Sequence, residues 1–350
     1  MAEPLMTLDN LVRTFDTRRG PITAVDHVSL TFDPGDILCL VGESGSGKTT
    51  VARMAAGLLN PSAGSVRFEG RDLKEMSKPE FKEYRKAVQI IHQDPYASLN
   101  PIHTIGDTLR APLLHHKLVK GGREATKRVE ELLDLVDLRP VENFINKFPH
   151  QLSGGQRQRV SIARAMALNP RVIIADESVS MVDVSTRVSL LNTMLKLRND
   201  LGVTFLFITH DLSVVKYFGW EGHVGVMYVG KLIEYGRTPQ IIGRSLHPYT
   251  RALAAAIPEA DPDLTRSKEK LQLRSLDIPN LANLPTGCVF NPRCPYWEPG
   301  LCDVQVPPLT GIGNGREVAC HLVVRDIERG GTGLDLERVR NQDLSENAAD

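Results

Sequence analysis

The chain of 350 residues carries 42 Lys plus Arg against 42 Asp plus Glu, a formal net charge of zero. That balance supplies no global attraction to nucleic acid or to an anionic membrane surface. The length suits about two domains; with no basic-then-apolar leader pattern and no apolar run near the ~20 residues of a membrane span, a cytoplasmic protein is expected.

The first informative element is Ile37–Val41, a continuous apolar run that predicts a buried parallel strand. It is followed by Gly42-Glu43-Ser44-Gly45-Ser46-Gly47-Lys48-Thr49, which fits the phosphate-cradling pattern G-x-x-x-x-G-K-[ST]. Residues 50–56 then predict a helix ended by Gly57. Strand, glycine-rich loop and helix aim backbone N–H groups and a helix N-terminus at an anion. Candidate nucleotide contacts are therefore Gly42, Ser44, Gly45, Ser46, Gly47, Lys48, Thr49 and Thr50.

Further along, Val129, Leu132, Leu133 and Val136 fall on one face of an amphipathic helix, inside a mostly helical insertion expected over residues 96–158. Residues 172–175 and 203–208 predict two more buried strands, separated by a helix at about 185–201. This alternation places residues 1–245 in an α/β domain. Asp176 and Glu177 close the first of these strands. Asp176 is then placed to hold Mg²⁺ with the Thr49 hydroxyl. Glu177 is placed to orient and deprotonate an attacking water. Taken alone, a strand-terminal Asp-Glu pair reads equally as a solvated turn.

After residue 246 prolines recur, at 248, 258, 262, 279, 285, 292, 295, 299, 307 and 308, which argues against long regular elements. Cys39 reads as a small buried hydrophobe. Cys288, Cys294, Cys302 and Cys320 cluster in this region and point to a metal more than to disulfides in a cytosolic protein. Their intervals of 5, 7 and 17 residues match neither a ferredoxin nor a zinc ribbon, so Zn²⁺ and an iron–sulfur cluster both stay open. A small extension stapled by these cysteines over residues 246–325 is expected. A disordered polar tail over residues 326–350 should follow.

The class is carried by Leu152-Ser153-Gly154-Gly155-Gln156-Arg157-Gln158-Arg159-Val160, which closely resembles the signature sequence of ATP-binding cassette (ABC) proteins. Ser153 and the bare backbone of Gly154 and Gly155 can approach a phosphate where a helix begins. The resemblance spans about residues 5–325. It implies an α/β P-loop NTPase with a RecA-like core, an antiparallel β edge and a helical subdomain. It also implies ATP and Mg²⁺ as ligands, with Gln93 sensing Mg²⁺ and the γ-phosphate and His210 contacting that phosphate. Asp183 would communicate across a dimer, and Phe15 would stack on adenine. Residues Ser153, Gly154, Gly155 and Gln156 would close over ATP held by a partner's loop, so one chain holds two half-sites. The chain departs from the family's pattern at Ser178, where Pro is usual, at Met181 and Val182, and at His92, where Phe is usual. None of these removes a reacting group.

Three further stretches resemble the ATPase subunits of oligopeptide and dipeptide importers. They are Asp94-Pro95-Tyr96-Ala97-Ser98-Leu99-Asn100-Pro101, His247-Pro248-Tyr249-Thr250-Arg251-Ala252-Leu253, and the segment from Gly287 through Cys288, Phe290, Pro292, Arg293, Cys294 and Pro295 to Cys302, Cys320 and His321. The Gly-Gln-Arg-Gln-Arg form of the signature resembles the second of the two paired subunits. The implied partners are a second ATPase subunit in a heterodimer, two transmembrane permease subunits and, indirectly, an extracytoplasmic substrate-binding protein, with no nucleic acid. The implied location is the cytoplasmic face of the cell membrane, and the implied cysteine ligand is a [4Fe–4S] cluster ahead of Zn²⁺. Relatives that carry oligosaccharides or nickel, and soluble ABC ATPases outside transport, are the alternatives; the C-terminal extension argues against the soluble ones.

Overall fold

The computed structural model describes residues 3–18, 20–257, 271–339 and 341. β1 (Met6–Thr17), β2 (Gly20–Phe32), β4 (Ala63–Phe68) and β5 (Arg71–Asp72) form a four-stranded antiparallel sheet in the order β2-β1-β4-β5. The larger sheet is built on β3 (Ile37–Val41), β6 (Val88–Ile91), β7 (Val172–Asp176), β8 (Thr204–Thr209) and β9 (His223–Tyr228). These pair in parallel in the order β9-β3-β8-β7-β6. Beyond β9 the sheet continues antiparallel through β10 (Lys231–Arg237), β12 (Glu317–Val318) and β11 (Thr310–Gly311).

Strand alternation sends successive side chains to opposite faces, and it divides the core in two. Ile37, Cys39, Val41, Ile173, Ala175, Phe205 and Phe207 face one hydrophobic cluster. Leu38, Leu40, Val172, Ile174, Leu206 and Ile208 face the other, which they share with α1 (Lys48–Ala55) and the small sheet. Cys39 is fully buried, as a small hydrophobe should be. Helix α1 begins at Lys48, two residues before its expected start, because Gly47 caps it at φ 99° and lets the loop turn straight into the helix.

α2 (Lys78–Ala87) precedes β6, and a run of helices then separates β6 from β7: α3 (Pro95–Ser98), α4 (Ile105–His115), α5 (Gly122–Leu135), α6 (Glu142–Ile145) and α7 (Gly154–Met166). Val129, Leu132 and Leu133 on α5 are fully buried, and each contributes about 1.5–3 kcal/mol of apolar burial. α8 (Val184–Leu201), α9 (Leu212–Phe218), α10 (Thr238–Gly243), α11 (Pro248–Ala255) and α12 (His321–Glu328) follow. Among the described helices, none is long and apolar enough to cross a membrane.

The C-terminal region has two features that the pattern of residues did not foretell. It is joined to the cassette by strand pairing, with Val318 of β12 opposite Glu234 of β10, so it extends the larger sheet. The expected disordered tail is ordered in its first part. Leu336 and Val339 are buried against Val318, Leu322 and Val323 in a third cluster, because two apolar residues three apart suffice to dock a short helical turn. Residues 340 and 342–350 of that tail lie outside the described residues.

Candidate active site at the phosphate loop

Strand β3 delivers the loop of residues 42–49 at the C-terminal edge of the parallel strands. Two glycines let its backbone press against the neighbours. A Cβ on Gly42 (φ 154°) would stand 2.1 Å from the Met227 carbonyl oxygen, and one on Gly47 would stand 2.3 Å from that of Ala24. Lys48 is buried at the loop's centre. Its Nζ donates to the carbonyl oxygens of Gly42 at 2.7 Å and Glu43 at 2.9 Å and to Ser46 Oγ at 3.3 Å. Burial lowers the lysine's pKa, against the opposing pull of the Glu177, Asp176 and Glu43 charges. An incoming phosphate offers this ammonium a stronger, charged acceptor than the carbonyls it holds here.

Thr49 Oγ1 donates to Asp176 Oδ1 at 3.2 Å, so the loop and the end of β7 present a hydroxyl and a carboxylate side by side. Burial raises the Asp176 carboxyl above its usual range, although the Thr49 bond pulls it down. A desolvated carboxylate beside a hydroxyl is an all-oxygen donor set that suits a hard cation such as Mg²⁺.

Glu177 follows in the left-handed region at φ 45°. The turn is fixed by its N–H, which donates to Ile208 O at 3.0 Å, and by its carbonyl, which accepts from the Ser180 N–H at 3.1 Å. Its carboxylate lies between two of the predicted residues. Gln93 Nε2 donates to Oε2 at 3.0 Å, and His210 Nδ1 stands 3.5 Å from Oε1.

The signature residues are organised around their own helix. Gln156 N–H donates to Ser153 Oγ at 3.3 Å, and Ser153 N–H donates to Gln156 Oε1 at 3.0 Å, a reciprocal cap on α7. Gly154 faces open space, whereas a Cβ on Gly155 would meet Thr186 Cγ2 at 2.3 Å. Asp183 caps α8, accepting from Ser185 Oγ at 2.6 Å and Thr186 N–H at 2.9 Å; these bonds hold its carboxyl well below the usual range. Within one chain these groups therefore bond locally rather than to the phosphate loop. Phe15 is half-buried on β1, covered by the Arg13 guanidinium at 4.6 Å. Its cross-strand partner Ile22 lines a cavity of about 270 Å³ beside Ser44, Gly45 and Ser46.

One group of contacts at the loop had no signal in the pattern of residues. Glu43 N–H donates to Tyr249 Oη at 2.8 Å, and the Glu43 carboxylate takes both terminal nitrogens of Arg293, at 2.7 and 3.0 Å. Tyr249 and Arg293 both lie in stretches that mark the C-terminal region, but nothing local foretold that they reach the loop.

The metal expected on the cysteines is not supported by their arrangement. Burial raises the thiols of Cys288 to about 11 and of Cys320 to about 12, with neighbouring cysteines adding to the rise, and it also raises those of Cys294 and Cys302. The four therefore share a neighbourhood. Yet among the described residues no three His, Cys, Asp or Glu side chains are grouped so as to hold a metal ion. Among the described residues the structure therefore gives no support to the [4Fe–4S] cluster or the Zn²⁺ that the resemblance implies.

Known proteins bear out the architecture. Residues 25–180 match the ABC transporter family, and residues 233–302 match the oligopeptide/dipeptide transporter C-terminal region. The oligopeptide transport ATP-binding protein AppF of Bacillus subtilis is 41% identical over 309 residues, covering 88% of this chain and 92% of its own length. The dimeric post-hydrolysis structure of the ATP-binding cassette MJ0796 bound to ADP and Pi superposes with a TM-score of 0.60 at 30% identity. It covers 67% of this chain and 98% of that one. A second dimeric structure of the MJ0796 cassette gives the same TM-score of 0.60.

Proposed function

The chain belongs to the ATP-binding subunits of oligopeptide and dipeptide ABC importers, and on that premise we propose how its residues bind and hydrolyse ATP to drive peptide import. The observation that carries the reading is the gathering of Thr49 with Asp176, and of Gln93 and His210 with Glu177, around one phosphate loop.

ATP is taken by the backbone N–H groups of residues 42–50, with Lys48 exchanging its loop carbonyls for phosphate oxygens. Thr49 and Asp176 would hold Mg²⁺, with Gln93 beside them, and the ion would neutralise charge that builds on the phosphates. Glu177 orients a water and accepts its proton as the water oxygen bonds to the γ-phosphorus; the bond to the bridging oxygen breaks and ADP departs with that oxygen. His210 stabilises the transferring group from the far side of Glu177. Phe15 supplies the ring face for adenine.

The second half of each site comes from a partner cassette. Ser153, Gly154, Gly155 and Gln156 would close over the nucleotide of that partner, with Asp183 at the seam. The exposed, locally satisfied start of α7 supports this reading, as does the dimeric state of the related MJ0796 cassette. We place the chain in a heterodimer beneath two permease subunits at the cytoplasmic face of the membrane, fed by an extracytoplasmic binding protein. The test is reconstitution of the chain with its permeases, partner ATPase and binding protein in vesicles. Peptide uptake that requires ATP and stops on Glu177→Gln is the expected result; ATP turnover without peptide uptake, or stable association with ribosomes, would overturn it.

A further inference from the structure

The second residue of the phosphate loop is a carboxylate, and the C-terminal region grips it. The Arg293 side chain is only 5% exposed, and its two terminal nitrogens meet both oxygens of Glu43 in a fork. The same guanidinium lies 3.3 Å from Tyr228 Oη and 5.7 Å from the ring centres of Tyr228 and Phe290. Tyr249, which takes the Glu43 N–H, packs on both rings at 4.6 and 5.6 Å. Glu43 is therefore held at its amide and at its carboxylate by residues outside the cassette core. Its carbonyl is one of the acceptors of Lys48.

We propose that Arg293 is a positioning residue for ATP: by neutralising and pinning Glu43 it keeps a free negative charge away from the phosphates and fixes the loop in its binding shape. The C-terminal region then sets the nucleotide affinity of the cassette to which it is attached. This rests on the reading that residues 42–50 hold the ATP phosphates. The chemistry favours an arginine because a planar fork satisfies both carboxylate oxygens at once, which an ammonium on a flexible stem cannot do. An unpaired Glu43 would stand within the loop where the triphosphate brings further negative charge, and like charges at such range disfavour binding.

The experiment titrates MgATP into the full-length chain by calorimetry, for wild type, Arg293→Met, Arg293→Lys and the neutral pair Arg293→Met with Glu43→Gln. Methionine keeps much of the packing against the aromatic rings and removes the charge. Arg293→Met should raise Kd for ATP about tenfold, Arg293→Lys should fall between it and wild type, and the neutral pair should recover to within about threefold of wild type. In the reconstituted importer the single variant should raise KM for ATP while changing kcat at saturation by less than about twofold. Wild-type affinity in a folded Arg293→Met would overturn the proposal. So would a neutral pair that folds, as judged by its melting transition, yet binds as weakly as the single variant. If Arg293→Met does not fold, Arg293→Lys takes its place as the single variant, and wild-type affinity in it overturns the proposal. Lys48→Ala is the separate control, since unchanged ATP affinity there would remove the loop reading itself, whatever Arg293 does.

Discussion

Gln93 and Glu177, 84 residues apart in the chain, meet where Nε2 of the first donates to Oε2 of the second at 3.0 Å. With His210 Nδ1 3.5 Å from the other oxygen, the Glu177 carboxylate has a neighbour on each side. A carboxylate so oriented can receive a proton from a water held in line with a γ-phosphate.

Replacing Glu177 by Gln keeps the shape and an oxygen to accept from Gln93 Nε2 but removes the carboxylate proposed as the base. ATP binding should stay within about threefold of wild type, while phosphate release falls by about 10²–10⁴, the usual contribution of general base catalysis. Steady-state phosphate release by the reconstituted importer measures this. Turnover near that of wild type would assign the base elsewhere.

Lys48→Ala removes an ammonium that is buried and tied to the Gly42 and Glu43 carbonyl oxygens. The loop loses both its internal tether and its charge compensation for the phosphates, so ATP affinity should drop by at least about tenfold, the scale of one charge-assisted hydrogen bond. Calorimetric titration of the full-length chain reads this directly, and an unchanged Kd would contradict the role.

Thr49, Asp176 and Glu177 were legible in the chain because each stands by the end of an apolar strand or the start of a helix, and such boundaries are local; Gln93, His210, Asp183 and Phe15 were named only through the resemblance to a family. Thr49 and Asp176 could be paired on chemistry alone, and the structure brings them to 3.2 Å. The clamp of Arg293 on Glu43, 250 residues away, has no local pattern at either end and appears only once the chain is folded. Leu336 and Val339 were hidden by the polar residues around them, and their burial comes from docking on α12 rather than from a run of their own. The metal expected on the cysteines found no support among the described residues. Their clustering in sequence brings them into one neighbourhood, but clustering fixes neither the directions of the side chains nor their convergence on one ion.

Glu234 on β10 is fully buried, and its carboxylate accepts from the N–H groups of Leu246 at 2.9 Å and His247 at 3.1 Å and from Arg316 at 2.6 Å. It joins the sheet to both the start of α11 and the C-terminal strands. In Glu234→Gln the new amide turns an N–H₂ group toward one of these donors and leaves the Arg316 charge without a carboxylate, held by the Arg244 carbonyl. The expected loss is about 3–5 kcal/mol, the cost of breaking a buried pair from one side. Urea denaturation measures it, and a loss below about 1 kcal/mol would mean that the pair contributes no more than a surface bridge.

His247 is buried at the N-cap of α11, where its Nδ1 accepts the Tyr249 N–H at 3.1 Å. Burial, reinforced by the nearby Arg251 charge, lowers its pKa to about 3. In the unfolded chain the imidazole titrates near its ordinary value of about 6.5. Between those two values the unfolded state takes up a proton that the folded state refuses. The stability is thus fully present above about pH 6.5 and declines as the pH falls toward 3, at up to about 1.4 kcal/mol per pH unit. His247→Asn keeps an oxygen to accept the Tyr249 N–H and has no group to titrate. Its unfolding free energy should therefore fall less steeply on acidification, by about one proton's worth of slope between pH 6 and 4. Parallel slopes for wild type and variant would show that the acid sensitivity arises in other groups and that His247 accepts its proton without penalty.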